Sequence, residues 1–403
     1  MAAEVLSKAG CVVDVYDVMP TAGRKFLMAG RGGLNLTHSE DQALFLSRFR
    51  LTDSSIPEPP LPAIFLKALQ QFGAPELRQW ADGLGAETFV GTSGRVFPKA
   101  MKAAPLLRAW LRRLQEQGVH FHLRHRWQGW GTNHAELIFH SLDGVQKIQA
   151  DACLLALGGG SWPKLGSDGR WQNLLAEKQI SLHPLLPANC GFNVSWSGYL
   201  IERFAGQVLK NVRLNGVKRG DLVMTRYGLE GGAIYALSAD LRDEIEQNGY
   251  ATLSIDLMPD RSQAELEKIL ARSKGSKSWT SFLKTSLKLS PLHVALLHEC
   301  LPAKDRESAV QLAAGIKALS VMLNSPRPLE EAISSAGGVA FDGVDDNFQL
   351  KLLPGVFCAG EMLDWEAPTG GYLLTACMAT GRAAALGIIN TFQEENSSQK
   401  VRV

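Results

Sequence analysis

Apolar positions recur along this chain with two periods, and the change from one to the other marks out its elements. Residues 1–9 (MAAEVLSKA) carry apolar residues at helical spacing and stop at Gly10, and 11–16 (CVVDVY) read as a strand ending in Asp17. A polar, Pro-rich connection at 52–62 leads into helices predicted at 63–71 and 74–84. An amphipathic helix follows at 99–117, then an alternating strand at 119–127. Residues 127–131 and 135–141 read as further strands of a small antiparallel layer. DACLLALGGG (151–160) is a continuous apolar strand running straight into glycines, the pattern of a strand covered on both faces.

From about residue 188 the pattern changes. Short alternating runs within 191–257 (QVLKNVRLNG, ATLSIDLMP) predict antiparallel strands, and 261–333 reads as mostly helical with a polar interruption at 273–278. The chain then returns to short strands at 338–341 and 349–352. A closing strand–helix unit covers 356–359 and 372–389, and EENSSQKVRV reads as a frayed tail. The expected organisation is α/β: a first domain part at 1–187, an inserted substrate-side domain at 188–334, and the remainder of the first domain at 335–403. The insert divides into strands at about 190–258 and helices at about 260–333.

Composition narrows the class. With 403 residues, 45% apolar and 20% charged, the chain is an ordinary globular enzyme in make-up. A net charge of +2 gives no global case for a nucleic-acid or membrane partner, and the basic stretch 108–126 reads as a solvated helix and edge strand. No run is expected to span a bilayer and no signal peptide is visible, so a cytoplasmic location is expected. The six cysteines are scattered without C-x-x-C spacing, which reads as buried thiols and no metal. G-x-S-x-G, H-E-x-x-H and P-loop motifs are absent, leaving hydrolase and NTPase readings without support.

The chemistry concentrates at glycine-rich junctions. Gly360 and Glu361 follow a strand, and Pro368-Thr369-Gly370-Gly371 opens a helix of small residues. The N–H groups and positive dipole end of such a helix stabilise electron-rich groups, and glycines there admit a flat ring. Leu157-Gly158-Gly159-Gly160 is a second junction, and Gly30-Arg31-Gly32-Gly33 with Asn35 and Thr37 a third, beside the basic pair Arg24 and Lys25. Three junctions in one chain suit a single elongated ligand. The opening helix and strand look like the second half of a dinucleotide-binding βαβ unit, with Asp17 placed for a ribose. No G-x-G-x-x-G stands before the helix.

GRKFLMAGRGGLNLTHSE, GRVFPKAMKA, LALGGGSWPKLGSDG and AGEMLDWEAPTGGYLLTACMATGRAAA closely resemble the bacterial BaiN-like flavoproteins, also described as aminoacetone-oxidase-type FAD-binding proteins. The resemblance spans essentially the whole chain. It implies a glutathione-reductase-like, Rossmann-type FAD domain, split in sequence, with an insert made of a β-barrel part and a helical part. It puts Asp17 on the adenosine ribose, and Arg24, Lys25, Gly32, Gly33, Asn35 and Thr37 along the diphosphate and flavin side. Arg126 would lie near the adenine. Gly158 and Gly159 would pass the cofactor, Gly360, Glu361 and Asp364 would approach the ribityl chain, and Gly370, Gly371, Tyr372 and Leu373 would face the pyrimidine edge of the flavin.

The chain departs from the family pattern in two places. G-G-G-R-C-N is replaced by Gly30-Arg31-Gly32-Gly33-Leu34-Asn35, and Thr-His-x-Gly-x-Ser-Gly-Pro by Thr225-Arg226-Tyr227-Gly228-Leu229-Glu230-Gly231-Gly232. Substrate identity therefore does not transfer. The expected function is FAD-dependent oxidoreduction of a small molecule, with NAD(P)H as a transient reductant because no second dinucleotide domain is visible. The alternatives are a flavin-dependent RNA-modifying or RNA-binding protein and a relic that has lost FAD. The catalytic acid and base and the oligomeric state are unassigned; Tyr227, Glu230 and His38 are candidates by location. The resemblance also implies that about a dozen residues, carrying a strand and the G-x-G-x-x-G turn, precede Met1.

Overall fold

The protein is described by a computed structural model covering residues 1–30, 32–52, 60–272, 276 and 278–399. Most of the Pro-rich connection and of the polar interruption at 273–278 lies outside the described residues. The chain divides into two compact units, Met1–Leu186 with Ser334–Val403, and Pro187–Ile333.

The first unit opens with the helix Ala2–Lys8, which Gly10 ends in a left-handed conformation (φ +87°). Its inner face carries a charge: Glu4 is 2% exposed and accepts from Lys8 Nζ (2.8 Å), Trp80 Nε1 (3.0 Å), Trp110 Nε1 (3.0 Å) and Arg113 Nη1 (3.1 Å). Strand β1 (Asp14–Asp17) begins later than the apolar pattern suggests. Its ladder partner starts only at His120, and Val12 is left 85% exposed. The helix Arg24–Ala29 follows. A small antiparallel sheet then forms from β2 (Thr37–His38), β3 (Thr88–Val90) and β4 (Arg95–Pro98) in the order β2-β4-β3.

The helix expected from residue 99 starts at Ala103 and runs to Glu116. Met101, at φ +56°, keeps the preceding residues from joining it. Strand β5 (His120–Leu123) pairs in parallel with β1, from Asp14↔His120 to Asp17↔Leu123. β6 (Arg126–Trp130), β7 (Glu136–Ser141) and β8 (Gly144–Gln149) form an antiparallel meander. β9 (Cys153–Leu155) then leads into the glycines, and β10 (Leu182–Ala188) carries the chain to the second unit.

That unit is built on β11 (Phe192–Asn193), β12 (Val208–Leu214), β13 (Lys218–Met224), β14 (Gly228–Glu230), β15 (Ala251–Asp256), β16 (Leu319–Leu323) and β17 (Ser325–Pro326). They form one antiparallel sheet in the order β16-β15-β12-β13-β14-β11-β17. β16 and β17 stand at opposite ends of that order although only Asn324 separates them. β16 adds a strand to 261–333, the stretch expected to be mostly helical: Leu319, Val321 and Leu323 are buried while Ser320 and Met322 face out, a period of two. The helices Gln263–Leu270, Trp279–Ser286, Pro291–Cys300 and Ala309–Lys317 add buried residues to this unit's core.

Back in the first unit, β18 (Ser334–Val339) is buried at every position and pairs with β10. It lies earlier in sequence than the strand expected at 338–341. No strand forms at 349–352. Those residues make only single bridges, Val344↔Leu350 and Gln349↔Phe357, around a turn in which Phe348 has φ +63°. β19 (Val356–Cys358) pairs in parallel with β9. Among the described residues β1–β5 and β9–β19 are separate two-stranded pairs, with no strand bonded to both.

The final helix runs from Tyr372 to Gln399, so most of the expected frayed tail is helical. By length and composition alone Tyr372–Gln393 reaches what a bilayer span needs, which corrects the reading that no apolar run is that long; 61% of the window is buried inside the fold. Its small residues allow close packing, as at Gly387, where a Cβ would fall 2.3 Å from the Asn347 carbonyl oxygen.

Candidate cofactor site

The end of β9 is held by side chains from elsewhere in the first unit. Gly158 has φ +73°, and its carbonyl accepts from Trp171 Nε1 (2.9 Å). Ser167 Oγ donates to the Gly159 carbonyl (2.9 Å), and Gly160 N–H donates to Ser335 Oγ (2.9 Å). A Cβ at Gly159 would meet Ser335 Oγ at 2.2 Å, so the glycine is needed for the approach of β18. At the end of β19, Gly360 takes φ +82°. Its N–H donates to Thr380 Oγ1 (3.0 Å) on the final helix, and its carbonyl accepts from Trp365 Nε1 (3.0 Å).

Glu361 lies between these two strand ends, 7% exposed. It accepts from Ser335 N–H (3.1 Å) and from Lys25 Nζ, which comes from the helix Arg24–Ala29. Asp364, 2% exposed, accepts from Thr52 N–H (3.3 Å) and lies 3.8 Å from His183 Nε2; burial pushes its carboxyl above the usual range.

The third junction joins the start of the final helix to β2. Gly371 has φ +94°, and a Cβ there would fall 2.4–2.8 Å from the Thr37 backbone. Thr375 Oγ1 lies 2.9 Å from both the Gly371 carbonyl and Thr37 Oγ1. Gly370 (φ +150°) precedes it. The Tyr372 hydroxyl donates to Glu40 Oε1 (2.7 Å), whose Oε2 accepts from Arg48 Nη2 (2.8 Å). The Tyr372 ring stacks on His38 at 5.7 Å. Burial and Glu40 both push the Tyr372 phenol above its usual range. Leu373 packs against the core of the unit.

Asn35 stands between the fully buried Leu34 and Leu36, and its Oδ1 is buried without a hydrogen-bond partner. At β1, Asp17 Oδ1 accepts from Met19 N–H (2.8 Å), and burial pushes its carboxyl up.

The structure thus joins Lys25, Gly158, Gly159, Gly360 and Glu361 into one network, and His38, Thr37, Gly371 and Tyr372 into another. Arg24 instead bonds Thr21 Oγ1 (2.9 Å) at the surface, and Gly32 is exposed with open space beside it. Arg126 pairs with Asp168 (2.8 Å). Tyr227 and Glu230 belong to the second unit: the Tyr227 hydroxyl donates to Glu230, and the Arg327 guanidinium lies 3.8 Å from the centre of the Tyr227 ring. Sequence reasoning missed Ser161, Ser167, Ser335, Thr380, Glu40 and Arg48, which no motif distinguishes from ordinary polar residues. A cavity of about 340 Å³ between Leu84, Glu87, Lys99, Lys102 and Leu106 takes in none of the site residues.

These residues fit the flavin-bearing end of an FAD. The buried acceptor on Asn35 lacks a donor, and Gly158, Gly360 and Gly371 take left-handed backbone at the three junctions. The family match and the curated relative make the chain a Rossmann-type flavoenzyme, an FAD-dependent oxidoreductase.

The chain belongs to the HI0933-like family: the profile of the HI0933-like protein Rossmann domain matches residues 1–387. It is 25% identical over 392 residues to a 3-dehydro-bile acid delta(4,6)-reductase of Clostridium scindens, covering 93% of this chain and 92% of the relative. Among solved structures it is similar to a flavocytochrome c3 fumarate reductase (TM-score 0.46, 14% identity, 96% of this chain and 76% of the other). It is also similar to the 3-ketosteroid-delta4-(5alpha)-dehydrogenase of Rhodococcus jostii RHA1 (TM-score 0.44, 13% identity, 96% and 93%).

Proposed function

We propose that this protein uses FAD to move electrons between NAD(P)H and a small organic molecule, a conjugated ketone being the substrate class to try first. The observation that carries the FAD reading is the joining of glycine-rich strand and helix ends by buried side chains, beside an Asn35 acceptor that lacks a donor. The bile-acid reductase relative supports the substrate class.

When bound, FAD supplies hydride chemistry at its N5. In this proposal Asp17 accepts from the ribose hydroxyls, and Asn35 Oδ1 accepts from an N–H of the ring system. The backbone of Gly370, Gly371, Tyr372 and Leu373 offers N–H groups to its carbonyl edge, where the helix dipole favours negative charge. Gly158, Gly159, Gly360 and Asp364 line the path between. The second unit, read as a strand barrel with a helical part, is the substrate side, and Tyr227, Glu230 and His38 are the first residues to test for proton transfer. A cytoplasmic location belongs to the same proposal; the six free thiols are compatible with it.

The test of function is a visible spectrum of the purified protein. A yellow protein bleached anaerobically by NADH or NADPH and reoxidised by an enone supports the proposal. A colourless protein that takes up no added FAD overturns it.

A further inference from the structure

The Lys25 ammonium has three N–H donors, and all three are used inside the protein. One goes to Glu361, one to Ser161 Oγ (3.3 Å) and one to Ser167 Oγ (3.4 Å). Glu361 is committed in the same way, with Oε2 toward Lys25 and Oε1 accepting from Ser335 N–H (3.1 Å). The partners continue the network. Ser335 Oγ takes the Gly160 N–H, Ser167 Oγ holds the Gly159 carbonyl, and the Glu361 carboxyl carbon lies 3.5 Å from where a Gly159 Cβ would stand. Five segments therefore meet on one ion pair: the helix Arg24–Ala29, the Gly158–Gly160 turn, the 161–167 loop, the start of β18 and the end of β19.

Charge accounting points the same way. The Glu361 side chain is 8% exposed and that of Lys25 31%, and the Lys25 ammonium lies within ion-pair distance of Glu361. A buried carboxylate deprived of its cation is strongly unfavourable, whereas removing both charges leaves a smaller defect.

We infer that Lys25 and Glu361 form an internal positioning pair that sets the two glycine-rich strand ends for the cofactor. They are not themselves its diphosphate and ribityl ligands. This rests on the FAD reading for its functional meaning, but the pairing can be tested without flavin.

The test is a double-mutant cycle on the full chain: Lys25→Met, Glu361→Gln, the two combined, and Lys25→Arg. Each is read twice, as thermal unfolding of the flavin-free protein and as FAD affinity from quenching of flavin fluorescence, with the flavin absorption band recorded on the loaded protein. The pair predicts that Lys25→Met lowers the apoprotein melting temperature most and that adding Glu361→Gln recovers part of the loss. It predicts that Lys25→Met weakens FAD binding about tenfold, the factor given by a mid-range coupling between contacting groups. Lys25→Arg keeps the wild-type affinity and absorption band.

Two results overturn the inference: weaker FAD binding by Lys25→Met with unchanged apoprotein melting, which makes Lys25 a direct ligand, or single effects on melting that simply add. Should the wild-type chain take up no FAD, the FAD reading fails while the melting cycle still decides the pairing. If Lys25→Met does not fold, comparing Glu361→Gln with the double variant decides it: the pair predicts the double variant folds, and its failure to fold overturns the pair.

Discussion

Glu4 shows how a single buried charge is made tolerable. Burial pushes its carboxyl up, but hydrogen bonds from Lys8, Trp80 and Arg113 outweigh this and hold it at about 2 against a usual 4.5. A depressed folded-state value stabilises the protein above the unfolded value, and the gain is lost as pH falls from about 4.5 toward 2. That difference corresponds to roughly 3 kcal/mol. Glu4→Gln is expected to flatten the acid limb of a urea-unfolding series between those pH values; an unchanged limb would contradict the assignment. Gly371 makes a second prediction at this scale. With φ +94° and the Thr37 backbone 2.4 Å from a would-be Cβ, Gly371→Ala should cost about 2 kcal/mol or more and release FAD. Wild-type urea midpoint and flavin retention in that variant would refute it.

At the scale of elements, the final helix is the informative one. Its composition passes for a membrane span, yet most of its apolar window is buried and Gly387 packs backbone to backbone against Asn347. Alanine and glycine lower the polarity of a sequence while also permitting close packing, and only the second property is visible in the fold.

At the scale of the whole molecule, the cofactor residues named here fall in one unit, and Tyr227 and Glu230 fall in the other. A ligand that binds only the native state stabilises by mass action, about 2.7 kcal/mol at a hundredfold excess over Kd. Adding FAD should therefore raise the melting temperature and slow amide exchange at Gly158–Gly160, at Gly360 to Leu363 and at the start of the final helix. Exchange in the cores of β12, β13 and β15 should change little. Protection confined to the second unit would place the cofactor elsewhere. Tyr227→Phe, which keeps the ring under Arg327 but removes the hydroxyl donated to Glu230, should leave FAD affinity intact; if the pair moves a proton, turnover falls and its pH profile changes. Unchanged turnover and pH profile would assign the pair a structural role.

The sequence by itself determined the local elements and the residues that make a flavin site possible. Gly158 and Gly360 stand where an apolar strand ends and Gly370 and Gly371 where a helix begins, and such junctions are legible because only glycine takes left-handed backbone cheaply. Alternation marked most strands, but it failed at Leu319–Leu323, where a two-residue period was hidden inside helical surroundings, and at 349–352, where apolar residues pack around a turn. Tertiary structure alone decided how Lys25, Ser167, Ser335 and Glu361 meet, because a buried ion pair depends on segments more than 300 residues apart arriving at one point. It also decided that Gly32 faces solvent and Arg24 bonds Thr21, while Asn35 keeps a buried acceptor without a donor. Spacing along a chain records which way a side chain can point; what stands opposite it is settled only when the segments pack.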